Sequence, residues 1–336
     1  MIKNILEKVI AKENLSFDES YKIMQSIMNG EINNSHLAGL LIALKSKGES
    51  STEIAGFASA MREKSKKIKT SDELTIDICG TGGDNSGTFN ISTAVGFVVA
   101  GAGVNVAKHG NRSISSLCGS ADVLQELGID INLSIEKSEE ALHKTGITFL
   151  FAPNFHPAMK FASPVRKELG IKTIFNMLGP LTNPANVKHQ LIGTFNNQAA
   201  EVMCAATEYL DFEKVCFVCT DNRFDEIILS GETNIYEFDK SLGRKNYKLS
   251  NETFSYPKVS LEEIVGGDAK TNAEIILNVL KNKKRDGAFH TICANAAMAL
   301  YVANISDDLE ICKQTAEESI LSGKAYDKLI ALKDFA

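Results

Sequence analysis

Apolar positions recur with a helical period through residues 1–70. Ile5, Leu6, Val9 and Ile10 fall on one face of a first helix. Ser35 precedes an apolar run that ends at Leu44, which predicts a second helix with a serine cap. Ser51 or Thr52 is the expected cap of a further helix carrying Ile54, Phe57, Ala58 and Met61. No alternating pattern interrupts this stretch, so it reads as a small all-helical domain over residues 1–70. Its last turn and tail, residues 62–69, are basic, as suits the solvated carboxyl end of a helix.

The texture changes near Leu74. Residues 74–79 read as a strand, a glycine-rich loop follows, and an apolar helix begins near Ile91. Residues 104–107 predict a second strand, and Ser120 or Ala121 opens a helix that Leu127 and Gly128 close. The alternation resumes with strands at 215–220 and 227–229, helices near 272–282 and 291–304, and a last helix over roughly 305–323. Strands alternating with helices predict an α/β fold. A mainly parallel central sheet flanked by helices is expected over residues 71–336. Residues 153–185 break the rhythm. They hold five of the six prolines, which predicts an ordered crossing segment, with residues near 165–185 joining the two domains.

Charge and composition narrow the classes. The chain has 336 residues, 36 basic against 42 acidic, for a net charge of −6. A general nucleic-acid binder is expected to be basic. The most apolar stretches, 37–44 and 95–104, are far shorter than the roughly 20 residues of a spanning helix. The amino-terminal segment is amphipathic rather than a signal peptide. The cytoplasm is the expected location. The seven cysteines are odd in number and scattered, against a disulfide framework. Cys216 and Cys219 form a CxxC inside a predicted strand, where positions three apart face opposite sides.

Four clusters carry candidate chemistry. Residues 79–94, Cys-Gly-Thr-Gly-Gly-Asp-Asn-Ser-Gly-Thr-Phe-Asn-Ile-Ser-Thr-Ala, form a strand–loop–helix with backbone N–H groups available to an anion at the helix start. Thr88-Phe89 stands where a P-loop requires Lys-Ser/Thr, and position 85 lacks the glycine of a dinucleotide fingerprint. Residues 108–116, Lys-His-Gly-Asn-Arg-Ser-Ile-Ser-Ser, follow a strand, and carboxyl ends of strands are where open α/β sheets bind ligands. Lys108 and Arg112 can neutralise phosphate, the serines can donate to it, and His109 is a substrate contact before it is a base. Asp225-Glu226 can meet a polyphosphate through magnesium, which takes one or two carboxylates. Arg166 has the planar fork that suits a carboxylate. It leads a stretch that ends in Asn-Met-Leu-Gly-Pro-Leu-Thr-Asn-Pro, residues 176–184.

Together, the Gly-Thr-Gly-Gly-Asp loop, Thr-Phe-Asn-Ile-Ser-Thr, Lys-His-Gly-Asn-Arg-Ser and Asn-Met-Leu-Gly-Pro-Leu-Thr-Asn-Pro resemble the anthranilate phosphoribosyltransferase family, in the family's order. The resemblance runs from the helical segment to the end of the chain. It implies a fold shared with pyrimidine nucleoside phosphorylases, an active site in the cleft between the two domains, and a homodimer joined through the small domains. It implies attack of anthranilate on C1′ of phosphoribosyl pyrophosphate (PRPP), with magnesium, two ions being expected. Carried over by position, it assigns Gly80, His109, Asn111 and Arg166 to anthranilate. It assigns Gly80, Gly83, Asp84, Thr88, Asn90, Ile91, Ser92, Thr93, Lys108, His109, Gly110, Asn111, Arg112, Ser113, Ser115, Ser116 and Ser120 to PRPP. Ser92, Asp225 and Glu226 fall to the metal. No protein nucleophile is implied. Two positions depart from the family's pattern: Arg223 replaces a glycine just before the acidic pair, and Lys172 replaces an arginine. The competing readings are a pyrimidine nucleoside phosphorylase of the same fold and a non-enzymatic nucleic-acid-binding relative. No membrane or nucleic-acid partner is expected.

Overall fold

The computed structural model describes residues 2–70, 74–83, 86–113 and 117–335. Four helices open the chain: α1 (Ile2–Ile10), α2 (Phe17–Met28), α3 (Asn34–Lys47) and α4 (Ser51–Lys64). Their caps lie upstream of the expected ones. Asn33, not Ser35, caps α3 by accepting from the His36 N–H. Ser50, not Ser51 or Thr52, caps α4, because Glu53 three residues on completes a capping box with it. Glu53 is wholly buried, pairs with buried Lys47 at 2.9 Å and accepts from the Leu15 N–H. The basic tail is not solvated throughout. Arg62 is buried, donates through Nε to the Leu181 carbonyl at 2.6 Å, and lies over the Phe212 ring. Burial pulls its pKa down to about 10.

The larger unit is built on seven strands. The first part runs β1 (Thr75–Gly80), α5 (Ile91–Gly101), β2 (Asn105–Gly110), α6 (Ser120–Glu126), α7 (Ile135–Thr145) and β3 (Ile147–Phe151). The crossing segment is ordered and carries three short helices, α8 (Ala152–Phe155), α9 (Ser163–Leu169) and α10 (Ile174–Leu178). Then follow β4 (His189–Gly193), α11 (Asn197–Ala206), β5 (Lys214–Thr220), β6 (Thr233–Asp239) and β7 (Gly243–Leu249). Four helices close the chain: α12 (Ala269–Leu280), α13 (Gly287–Val302), α14 (Leu309–Leu321) and α15 (Lys324–Lys333). The sheet order is β3-β2-β1-β4-β5-β6-β7, with the first five strands parallel and β6 and β7 antiparallel. The chain moves from β1 to β2 on one side, and β4 flanks β1 on the other. That is a topological switch point, with its crevice at the carboxyl ends of the strands.

Three expectations need correction. Residues 227–229 form no strand, although each is buried; the N–H groups of Ile227 and Ile228 donate to side chains instead of to a ladder. The second strand extends to Gly110, so Lys108 and His109 sit within it rather than after it. The helix expected over roughly 305–323 is α14, but it is not the last: after Gly323, at a left-handed φ of 83°, the chain forms a further helix, α15. One face of the sheet is covered by α5, α13, α14 and α15, with core residues such as Phe97, Val98 and Met298. On the other face, Val215, Phe217 and Phe238 join one continuous cluster with α11, the crossing segment and α1–α4. All seven cysteines are free and buried. Among the described residues no helix is long and apolar enough to cross a membrane.

Candidate active site

The glycine loop leaves β1 where Gly80 pairs in register with Gly193 of β4. Both glycines are required by the acidic segment that crosses them. A Cβ on Gly193 would collide with the Asp225 carbonyl, and one on Gly80 would lie 2.8 Å from Asp225 Oδ2. Gly82 and Gly83 take left-handed φ values of 64° and 70°, open to glycine at little cost. Gly82 N–H donates to Asp225 Oδ2 at 3.2 Å. Thr88 bridges to Val265, and the Phe89 N–H donates to the Ile264 carbonyl, so the loop's far end has an outer wall. Asp84, Ser115 and Ser116 lie outside the described residues.

Asn90 stands at the cap of α5 but does not cap it. Its side chain donates to the Cys118 carbonyl and accepts from Asn272 instead. Ile91 is buried in the core. The Ser92 N–H donates to Glu226 Oε1 at 3.1 Å, and Ser92 Oγ accepts from Lys108 Nζ at 3.3 Å. Thr93 Oγ1 is buried without a partner. Asp225 and Glu226 are adjacent in sequence yet converge, one on the glycine loop and the other on the first turn of α5. Two carboxylates and a serine hydroxyl form a hard-oxygen donor set, which fits magnesium. Among the described residues no cluster of three or more His, Cys, Asp or Glu forms a metal cage. Magnesium takes one or two carboxylates and leaves its remaining positions to water and ligand phosphates.

Beneath the loop lies a buried polar layer. Lys108 is buried and its ammonium also donates to the Ile78 carbonyl. Burial lowers its pKa, with Asp77 working the other way. Asp77, fully buried, accepts from the His109 N–H at 3.0 Å and from Gln190 Nε2 at 3.0 Å. Sequence reasoning passed over Asp77; a carboxylate inside an otherwise apolar strand is the signal that identifies it. His109 is buried, its ring 5.2 Å from that of His156, which was also missed. Both Nε2 atoms are buried and unpartnered. Burial pushes His109 well below the usual histidine range and His156 to about 4, so both rings are neutral. The end of the crossing segment seals this layer, with Asn183 Nδ2 donating to the Ala107 carbonyl at 2.8 Å.

The remaining residues spread over the rim. Gly110 ends β2, and the Asn111 carbonyl accepts from Ser120 Oγ at 3.2 Å. Arg112 turns back onto α6, bonding Asp122 and Gln125 at 2.6 Å each. The Ser113 N–H donates to Asp122 as well. Arg166, on α9, is half-buried over the Phe175 ring at 5.1 Å. Burial lowers its pKa, and among the described residues it has no carboxylate partner. Both departures are accommodated. Asp221 and Asn222 take the left-handed turn at φ 51° and 54°, whereas Arg223 does not and is exposed beside the Phe224 ring. The Lys172 ammonium lies 4.5 Å from the centre of the Phe195 ring.

This geometry can hold a polyanion on backbone N–H groups and Lys108, and orient it through an oxygen-ligated cation. Comparisons with known proteins give the same picture. The helical bundle domain of a glycosyl transferase family matches residues 3–65, and the a/b domain of that family matches residues 72–326. The anthranilate phosphoribosyltransferase of Petrotoga mobilis is 45% identical over 338 residues, covering 100% of this chain and 97% of the relative. The crystal structure of anthranilate phosphoribosyltransferase from Thermus thermophilus has a TM-score of 0.92 and 38% identity, over 98% of each chain. The Saccharomyces cerevisiae enzyme in complex with PRPP and Mg has a TM-score of 0.90 and 26% identity, over 99% of this chain and 97% of that one. With its helical unit, its α/β sheet and its four motifs matched over the full length, the chain belongs to the anthranilate phosphoribosyltransferase family.

Proposed function

We propose that this chain transfers the phosphoribosyl group of PRPP to the amine of anthranilate, giving N-(5-phosphoribosyl)anthranilate and pyrophosphate in tryptophan biosynthesis. The convergence of Asp225 and Glu226 on the glycine loop and α5, above the buried ammonium of Lys108, carries this reading. The C1′–oxygen bond to pyrophosphate breaks, a C1′–nitrogen bond forms, and the amine loses a proton. Oxocarbenium character at C1′ makes a protein nucleophile unnecessary, so the chain contributes by positioning and electrostatics.

PRPP is held by Gly80, Gly83, Asp84, Thr88, Asn90–Thr93, Lys108–Ser113, Ser115, Ser116 and Ser120. Anthranilate is held by Gly80, His109, Asn111 and Arg166, with the Arg166 fork on its carboxylate. Ser92, Asp225 and Glu226 hold magnesium, two ions in all, which neutralises the departing pyrophosphate when bound. Neutral His109 keeps positive charge away from the anthranilate amine while Arg166 takes the carboxylate. The chain acts in the cytoplasm as a homodimer joined through the helical units, where Ile10 of α1 and Ile42 of α3 are exposed.

The deciding experiment follows the loss of anthranilate fluorescence with PRPP and magnesium. Loss that needs both is expected. No loss from folded protein, or phosphorolysis of thymidine or uridine, overturns the reading. Replacing both Asp225 and Glu226 by alanine is expected to lower turnover and to shift the magnesium titration. An unshifted titration removes the metal role from the pair.

A further inference from the structure

The segment 225–229 leaves the end of β5 without a ladder, yet Ile227, Ile228 and Leu229 are each 1% exposed. Buried backbone groups need partners. The Ile228 and Leu229 carbonyls accept from the Gly231 and Val259 N–H groups, and two side chains supply the partners nearer the acidic pair. Asn295 of α13 accepts from the Ile227 N–H at 3.0 Å and donates to the Ile227 carbonyl at 2.8 Å. Its second N–H goes to the Thr291 carbonyl in its own helix. Thr220 Oγ1 donates to the Glu226 carbonyl at 2.7 Å and accepts from the Ile228 N–H at 3.1 Å, with Thr233 Oγ1 beside it at 2.6 Å.

The segment is thus gripped from behind by an amide and a hydroxyl. Underneath, Gly80 and Gly193 leave room for Asp225 and nothing more. From the front it presents its two carboxylates to Gly82 and Ser92. The α13 helix is apolar along nearly its whole length, and Asn295 is 1% exposed within it. A buried amide is costly unless fully bonded, and here every one of its bonds outside α13 goes to the residue following the acidic pair.

We infer that Asn295, with Thr220, is a positioning residue of the phosphoribosyl transfer: it fixes the backbone behind Asp225-Glu226 and so sets affinity for PRPP with magnesium, not for anthranilate. The inference rests on the function proposed above. Asn295→Asp keeps the shape but sets an oxygen against the Ile227 and Thr291 carbonyls. Thr220→Val keeps the shape and loses the hydroxyl, and Thr220→Ser restores it.

The test is calorimetric titration of each folded variant with PRPP over a magnesium series, beside the anthranilate KM and the thermal midpoint. Asn295→Asp and Thr220→Val are expected to weaken PRPP binding about tenfold at fixed magnesium and to raise the magnesium midpoint. Thr220→Ser is expected near the wild type, and the anthranilate KM within about twofold throughout. If only the thermal midpoint falls, the two residues are merely structural and the inference is overturned. Should Asn295→Asp fail to fold, Thr220→Val against Thr220→Ser decides. A wild-type protein that fails to bind PRPP overturns the proposed function itself; one that binds it equally in all variants overturns only this inference.

Discussion

Arg166 and the two buried histidines behave differently because they face different surroundings. Among the described residues Arg166 has no carboxylate partner, so an incoming carboxylate would gain a charge-assisted, bidentate contact. Arg166→Ala is expected to raise the anthranilate KM by roughly 30-fold, about 2 kcal/mol, with PRPP binding little changed. Steady-state kinetics with each substrate varied in turn checks this, and a loss confined to PRPP would reassign the residue. His156 is neutral in the folded protein with a pKa near 4, against about 6.5 unfolded. The unfolded chain therefore binds more protons between those values, and stability falls as pH drops from about 6.5 towards 4. The loss from this one group is of order 3 kcal/mol. Denaturant midpoints across that range, compared with His156→Phe, are expected to show a shallower pH dependence in the variant.

Among the elements, those with a period of their own were legible in the sequence and those that rely on neighbours were not. The helices α1, α3 and α4, the apolar α5 and the buried β5 declare themselves by spacing, whereas α2 was not read from the sequence. β4 is five residues long and follows directly on the proline-rich stretch, so its pattern is too short to read. β7 is exposed on nearly every side chain and is a strand only because β6 offers it a ladder. Residues 227–229 read as a strand because they are apolar and two of them are β-branched, but Asn295 and Thr220 took the place of a ladder. The candidate site was legible in its loops, where glycines and side chains suited to phosphate lie close in sequence. It was not legible in the buried layer around His109, where Asp77, His156 and Gln190 meet it from three other segments. At this scale the α4 capping box has a testable weight. Glu53→Ala leaves Lys47 buried without its partner and removes a helix cap, and is expected to cost roughly 3–5 kcal/mol by denaturant unfolding.

At the scale of the whole molecule, the helical unit shares its core with one face of the sheet. The apolar cluster of the helical unit continues through α11 into β5 and β6, and Arg62 pins α4 to the crossing segment. The helical unit is therefore expected to unfold together with the sheet. Calorimetry is expected to give one transition, with equal calorimetric and van't Hoff enthalpies, coincident by fluorescence and circular dichroism. Two separated transitions would show that the shared cluster does not couple the units.

The burial of every cysteine gives the protein seven internal reporters. A thiol reagent reads local opening, since it modifies only what fluctuations expose. Cys79 sits at the root of the glycine loop, Cys118 beside Asn90, Cys204 on α11, Cys216 and Cys219 along β5, and Cys293 and Cys312 on α13 and α14. Mass-resolved labelling rates would separate the breathing of the site from that of the distant layers without introducing a probe. Saturating substrate would slow modification of Cys79 and Cys118 first and leave Cys204 and Cys312 labelling at their earlier pace.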